Sequence, residues 1–370
     1  MSGQIAPTGG YYQWFDRLTT NNIDTVAFTA GLSGETHQAV FVFDGKQVTR
    51  VVFVGEALPG NLGVIERLGR MAVGRDGSLV VIASTSSGET GVFSVKSGVI
   101  VPLLMGSDHS LSFGPDSEII MDSSGSVVFT ASSNQTSGLL SVFSFANGQL
   151  QVILKNGEKI ASRTMQGPHI LKSALPGVLH FVDSEFVGPV AAFAPAALCR
   201  VATDGSAAAL LLDQKSQSTG SPFKIKVGSP GRGIRDFDIA ADGTMVVAVD
   251  VESQQERQEA YLVQDGTLGR GSLPEAGTFR LLSQVRLAQD WVLALGAEDR
   301  NGMITKKLIA WDKTGTTAKR VLLTSGDVRS GIRIQDLRSI GLTSDTIYCL
   351  GKGTNNEERS VEFVYSIPVN

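Results

Sequence analysis

Four histidines, a short acidic run and one basic loop are the parts of this chain whose residue types could carry chemistry. His37, His109, His169 and His180 stand apart, and none falls in an HExxH or another metal-ligand spacing. His180 lies in VLHFVD, three residues before Asp183, and an imidazole beside a carboxylate is the start of a general-base pair. Residues three apart on a strand face opposite sides, so this histidine is expected to be structural. Asp236, Asp238 and Asp242 in DFDIAADG lack the D-x-[DN]-x-[DN]-G register and the closing glutamate of a calcium loop. They are expected on a polar strand face and in a turn. GxSxG, the P-loop and a strand–glycine-rich turn–helix unit are all missing, which removes serine-hydrolase, nucleotide-dependent and dehydrogenase readings. No catalytic residue, no cofactor and no metal is expected.

The elements that would hold these residues come from an internal repeat. A turn followed by a β-rich run recurs as IDTVAFTAG, RDGSLVVIAS, SSGSVVFTAS, LPGVLHFVD, ADGTMVVAVD, AQDWVLALG and TSDTIYCLG. The turn residues are Asp24, Gly77, Gly125, Gly177, Gly243, Asp290 and Asp345, spaced by 53, 48, 52, 66, 47 and 55 residues. Gly and Asp supply the tight turns that hairpins need. A second turn follows 21, 21, 23, 28, 23 and 25 residues later, at Gly45, Gly98, Gly148, Gly205, Gly266 and Gly315. Each of these sits between two apolar runs, the mark of a hairpin.

Before each first turn lies an alternating segment, with mostly apolar pairs such as Leu18/Thr20, Met71/Val73, Ile119/Met121 and Phe237/Ile239; in the last two repeats the turn is expected to be one residue shorter. Alternation with period two means a strand with one buried face. Four strands per repeat of roughly fifty residues match a propeller blade. The expected fold is therefore all-β: one seven-bladed β-propeller domain over residues 1–370, with four-stranded antiparallel blades and almost no helix. The seventh repeat runs out of sequence one strand short, so residues Gly3 to Thr8 are expected to close the last blade as its outer strand.

The other face of the alternating strands carries Arg17, Arg70, Glu118, Lys172, Asp236, Asp238 and Arg286, with Gln284 and Ser339 among the uncharged positions. If this strand is innermost, these side chains gather at a central channel. They would form either a belt of ion pairs or a binding site for a small polar ligand. The fourth repeat is the longest, and its excess falls around PVAAFAPAAL and in QKSQSTGSPFKIKVGSPGRGIR. Loops that outgrow a rigid scaffold often bind partners, which singles out Lys224, Lys226 and Arg232 as partner-binding candidates beside the reading of a tolerated insertion.

Composition narrows the classes of partner. Of 370 residues 18% are charged and the net charge is −4, which argues against nucleic acid. The longest apolar stretch, Phe186 to Cys199, contains Pro189 and Pro195 and is too short to span a bilayer. The first residues lack a basic segment followed by an apolar one, so no signal peptide is expected in this sequence. Cys199 and Cys349 each sit in an apolar run and are expected to be buried free thiols, although a disulfide stays open.

Asn21-Asn22-Ile23-Asp24-Thr25-Val26-Ala27-Phe28 resembles the signature of bacterial NxxGxxAF tandem-repeat proteins, with Asp24 in place of the glycine. Asp122 through Phe129 is similar, and Val54 through Gly60 resembles the Gly-acidic-Pro loop that often ends such a repeat. The resemblance implies a propeller-like array in proteins that are often secreted or surface-anchored, hence extracellular or periplasmic. It implies no activity. The function expected is a non-catalytic binding or scaffold module that docks a protein or glycan through one face. The alternative is a hydrolase, lactonase or lyase working at the channel mouth, and fold alone does not choose between them.

Overall fold

The computed structural model describes residues 4, 6–7, 9–33, 38–96, 98–114, 117–133, 139–187, 192–213, 233–251, 257–264, 267–272, 279–288, 290–300, 302–313 and 320–369. They form seven antiparallel sheets of four strands. Sheet one is Tyr12–Thr20, Val26–Leu32, Gln38–Phe43 and Val48–Phe53; sheet two is Ile65–Val73, Leu79–Thr85, Thr90–Lys96 and Val99–Met105. Sheet three is Ile119–Met121, Val127–Ser133, Leu140–Ala146 and Gln149–Leu154, with the short Leu111–Ser112 also paired to its second strand. Sheet four is Pro168–Lys172, Val178–Val187, Ala192–Ala202 and Ala208–Leu212. Sheet five is Ile234–Ile239, Met245–Val251, Arg257–Gln264 and Thr267–Ser272; sheet six is Phe279–Leu287, Trp291–Arg300, Met303–Asp312 and Arg320–Thr324. Sheet seven is Val328–Arg329, Ile332–Leu342, Thr346–Asn355 and Ser360–Pro368. The helix among the described residues is the single turn Gly106–His109.

The turns explain why these segments stop and reverse. Five residues separate the opening strand from its neighbour in sheets one to five; three do so in sheet six and between Ile332–Leu342 and Thr346–Asn355 in sheet seven, two fewer rather than the one expected. Gly77, Gly125, Gly177 and Gly243 hold left-handed φ of 77, 84, 70 and 84°, a region that costs glycine nothing. In sheet one Asp24 replaces that glycine and the positive φ moves to Asn22, at 59°. Asn21 Oδ1 compensates by accepting from the backbone N–H groups of Ile23, Asp24 and Thr25 at 2.9, 3.0 and 3.0 Å. Asp122 does the same for Ser124 and Ser126, both at 2.9 Å. At the other hairpin, Asn147 and Gly148 both have positive φ, 52 and 76°, the geometry that matches strand twist in a two-residue loop.

The opening strands depart from simple alternation. In sheet one the pairing shifts register between Tyr12 and Trp14 and again between Phe15 and Leu18; in sheet two it shifts between Ile65 and Arg67 and between Leu68 and Met71. Each bulge adds a residue to one side of the ladder and re-aims the side chains beyond it. Ile65, Leu68 and Met71 are consequently all buried although they are three apart, as are Tyr12 and Phe15. After the last bulge the pairing is regular up to the turn, but burial does not alternate there: Met71, Ala72 and Val73 are all buried.

The chain divides into two compact units: one of Met1–Leu139, Phe143–Gln151 and Val328–Asn370, the other of Leu140–Val142 and Val152–Asp327. In the first, Tyr12, Phe15, Phe28 and Phe41 pack with Ala6 and Leu350, and Phe28 stacks on Phe41 at 5.5 Å and 17°. Phe129 and Phe143 repeat that stack at 5.6 Å and 17°. Gly341 permits a close approach there, because a Cβ would lie 2.6 Å from Leu18 Cδ2 and 2.7 Å from Thr20 Cγ2. In the second unit one core gathers Phe237, Val247, Val249 and Tyr261, and another gathers Val285, Ala294, Ile309 and Trp311.

Of the expected closing strand, Gly3, Ile5 and Thr8 lie outside the described residues. The rest makes a turn, with Ala6 N–H donating to Gly10 O at 2.6 Å and Tyr12 N–H to Gln4 O at 3.0 Å. Sheet seven reaches four strands through Val328–Arg329, which pairs with Ile332–Leu342 at the edge opposite Ser360–Pro368.

Candidate functional site

The bulge nearest the turn places the first of the singled-out charges. In sheet one it holds Asp16 and Arg17, in sheet two Gly69 and Arg70. Buried Thr29 in the neighbouring strand accepts from Arg17 N–H at 3.0 Å, and Thr130 accepts from Glu118 N–H at 2.8 Å in sheet three. The residue after the motif phenylalanine, Phe28 or Phe129, therefore fixes the backbone that presents Arg17 or Glu118. Arg70 Nη2 lies 3.1 Å from Glu118 Oε1. Arg17 Nε lies 3.6 Å from the largely exposed Asp16 carboxylate. Arg17 Nη1 is buried and has no hydrogen-bond partner. Burial lowers the Arg17 pKa, Asp16 and Glu118 oppose this, and the like charges of Arg70 and Arg67 lower it further.

In the second unit Lys172, Asp236, Asp238 and Arg286 come together. Asp236 Oδ2 accepts from Arg286 Nη1 at 2.6 Å and from Val285 N–H at 3.0 Å. Asp238 Oδ2 accepts from Leu287 N–H at 2.9 Å, while its Oδ1 is 3.8 Å from Lys172 Nζ. Both aspartates are buried. Burial alone would lower the Arg286 pKa, but Asp236 and Asp238 hold it above its ordinary value. These carboxylates thus cap the opening strand of the next sheet and pair with a cation at once. Asp242 sits in the turn, accepting from Thr244 N–H at 2.9 Å. Among the described residues no three metal-ligating side chains meet.

Two further acids, Asp250 and Glu298, are not singled out by sequence pattern, and Asp183 is singled out only as a partner for His180. Asp183, fully buried, takes Arg163 Nε at 2.9 Å and the N–H groups of Gln166 and Gly167 at 3.0 and 2.9 Å. Asp250 takes Gly233 N–H at 2.7 Å, Arg235 Nε at 2.8 Å and Gln258 Nε2 at 2.7 Å, and Gln258 Oε1 in turn accepts from Leu282 N–H. Glu298 Oε2 takes Lys307 Nζ at 2.6 Å. The available signal was the aspartate closing VLHFVD and VVAVD, a charge at the end of an apolar strand. His180 does not bond Asp183: its Nδ1 is buried without a partner, and burial followed by the charge of Arg200 pushes its pKa down to about 4. Cys199 and Cys349 are buried free thiols, with burial raising each pKa to about 12.

Lys224, Lys226 and Arg232 lie outside the described residues. The connections around them follow a pattern nonetheless. In sheets one to six the links into the opening strand and between the second and third strands share one end, and they range from the Gly55–Val64 loop to the paired Lys159–Ile160 and Arg163–Thr164. The links at the opposite end run from two residues to the seven between Asp312 and Arg320, and they include the short turns described above. Tyr11 and Trp14 lie at the variable end of sheet one and are 50% and 37% exposed, with the Trp14 indole resting on Gly31, where a Cβ would fall 2.2 Å from Nε1.

No protein-family description matches the chain, and no curated protein does. Solved structures do. The β-propeller domain of the Trilobed protease from Pyrococcus furiosus, described as having an open velcro topology, matches with a TM-score of 0.58 at 8% identity, over 98% of this chain and 96% of that one. A chain from a study of two prolyl endopeptidases matches at 0.56 and 12% identity, over 96% of this chain and 50% of that one. Pyrococcus horikoshii acylaminoacyl peptidase matches at 0.54 and 9% identity, over 96% and 52%. This chain thus spans about half the length of the two peptidases. Likeness at such identity shows the fold, a β-propeller with seven four-stranded antiparallel blades. No helix among the described residues is long and apolar enough to cross a membrane.

Proposed function

We propose that this chain is a non-catalytic binding or scaffold propeller that docks a protein or glycan partner through the variable ends of its sheets. The observation that carries this reading is the contrast between the two ends: links of two to seven residues at one, links of two to twenty-one at the other, where Tyr11 and Trp14 stand exposed. Tyrosine and tryptophan offer large amphipathic area at little entropic cost, and they are enriched at interfaces. The charges that a hydrolase, lactonase or lyase would use at Asp236, Asp238 and Arg286 are engaged with one another and with backbone N–H groups, which favours binding over chemistry there. The equivalent turn caps of Asn21 and Asp122 support kinship with the NxxGxxAF proteins, and with it one propeller domain over the whole chain in an extracellular or periplasmic setting.

The test compares the chain with Tyr11→Ala and Trp14→Ala variants on a glycan array and in affinity capture from its native organism. A bound glycan or protein lost in either variant supports docking. Turnover of lactone, ester or peptide substrates that falls in Asp236→Asn would move the reading to the enzyme alternative.

A further inference from the structure

Arg17 and Arg70 occupy equivalent bulge positions in consecutive sheets, and Arg67 adds a third guanidinium close enough to influence Arg17. Facing them are Glu118, 3.1 Å from Arg70, and Asp16, whose 3.6 Å approach to Arg17 Nε is long for a hydrogen bond and largely exposed. Three cations therefore meet two carboxylates, one of them weakly engaged. Arg17 Nη1 is moreover buried with nothing to accept from it. A buried donor without an acceptor is costly, more so when charged. A planar guanidinium fork matches one class of acceptor best, an oxyanion that takes two parallel N–H bonds.

We propose that Arg17 and Arg70 hold a small oxyanion, a carboxylate or a phosphate group, at the bulges of the first two sheets. Glu118 occupies part of Arg70 and competes with the ligand. This goes beyond the docking reading, since it concerns different residues and a small anion, and it stands or falls without a macromolecular partner. Glu118 also sets the sign of one variant, which a purely structural arginine cluster would not predict.

The experiment is calorimetric titration of the full chain with inorganic phosphate, acetate and citrate, at constant ionic strength set with chloride. Saturable binding of at least one probe is expected, weakened about tenfold or more in Arg17→Gln and in Arg70→Gln, and tightened in Glu118→Gln. Circular dichroism confirms that each variant folds. Should Arg17→Gln not fold, Arg17→Lys keeps the charge without the fork and is expected to weaken binding as well. Binding of phosphate alone identifies a phosphate ligand, and binding of acetate or citrate alone a carboxylate. Failure of all three to bind above chloride overturns the proposal, as does wild-type binding in folded Arg17 and Arg70 variants.

Discussion

The Glu362 carboxylate accepts a hydrogen bond from the Phe15 backbone N–H at 2.6 Å, although 347 positions separate the two residues. Its other oxygen takes Arg338 Nη1 at 2.9 Å, so one side chain fastens the first sheet to the last. Ser344 reinforces the join, donating to Ile23 O from its N–H at 2.9 Å and from its hydroxyl at 2.8 Å. Glu362→Ala is expected to lower stability by about 1–3 kcal/mol in urea unfolding, because a half-buried N–H loses its acceptor. Glu362→Gln keeps an acceptor and should cost less. Equal stability of all three proteins would mean that water serves Phe15 just as well.

His180 makes stability pH-dependent. Its pKa is depressed from 6.5 to about 4 in the folded chain, so the unfolded chain binds the proton first as pH falls. Stability from this residue is complete above pH 6.5 and is lost progressively as pH falls towards 4, by about 3 kcal/mol. Denaturant melts across that window should show a steeper acid loss in the parent than in His180→Leu. Parallel pH profiles would contradict the assignment.

Asp183 is a carboxylate with no exposure that satisfies two backbone N–H groups and Arg163. Removing one partner of such a buried pair leaves the other uncompensated, so Asp183→Ala is expected to cost roughly 3–5 kcal/mol. Lys46→Ala, at an exposed hairpin turn, serves as the control and should stay near the parent. The check is the shift of the urea midpoint at neutral pH.

Asn21 gathers three backbone N–H groups in the first turn, and Asp122 performs the same task with a carboxylate. Asn21→Ala should therefore destabilise by about 1–2 kcal/mol, whereas Asn21→Asp should be nearly neutral. Thermal melts of the two variants side by side decide it, and an equal loss in both would mean the amide group of Asn21 matters in itself.

The blade count and the strand order were legible in the sequence because tight turns admit few residues: Gly77, Gly125, Gly177 and Gly243 announce themselves. The strand leading to each turn was legible for the same local reason. The earlier half of each opening strand was not, since a bulge leaves no residue signature in Asp16-Arg17 or Gly69-Arg70. The pairing of Asp236 with Arg286, 50 residues on, was hidden because it joins neighbouring sheets. Arg17, Arg70 and Glu118 share one face of their strands by sequence pattern, yet only the folded chain reveals that Arg17 keeps a buried nitrogen without a partner.

The bulges also decide which genetic lesions the chain tolerates. Leu68 and Met71 both face inward only because the pairing slips between them. Losing the single codon for Gly69 or Arg70 would leave Leu68 and Met71 two apart, where a plain ladder also turns both inward, so Leu68 would still face Ala83 and Met71 would still face Val81. Such a deletion is expected to leave the chain able to fold, as soluble yield on expression would report, because it removes only the extra residue of the ladder. Along these strands an in-frame loss is thus mildest where the ladder already carries one residue more than its partner.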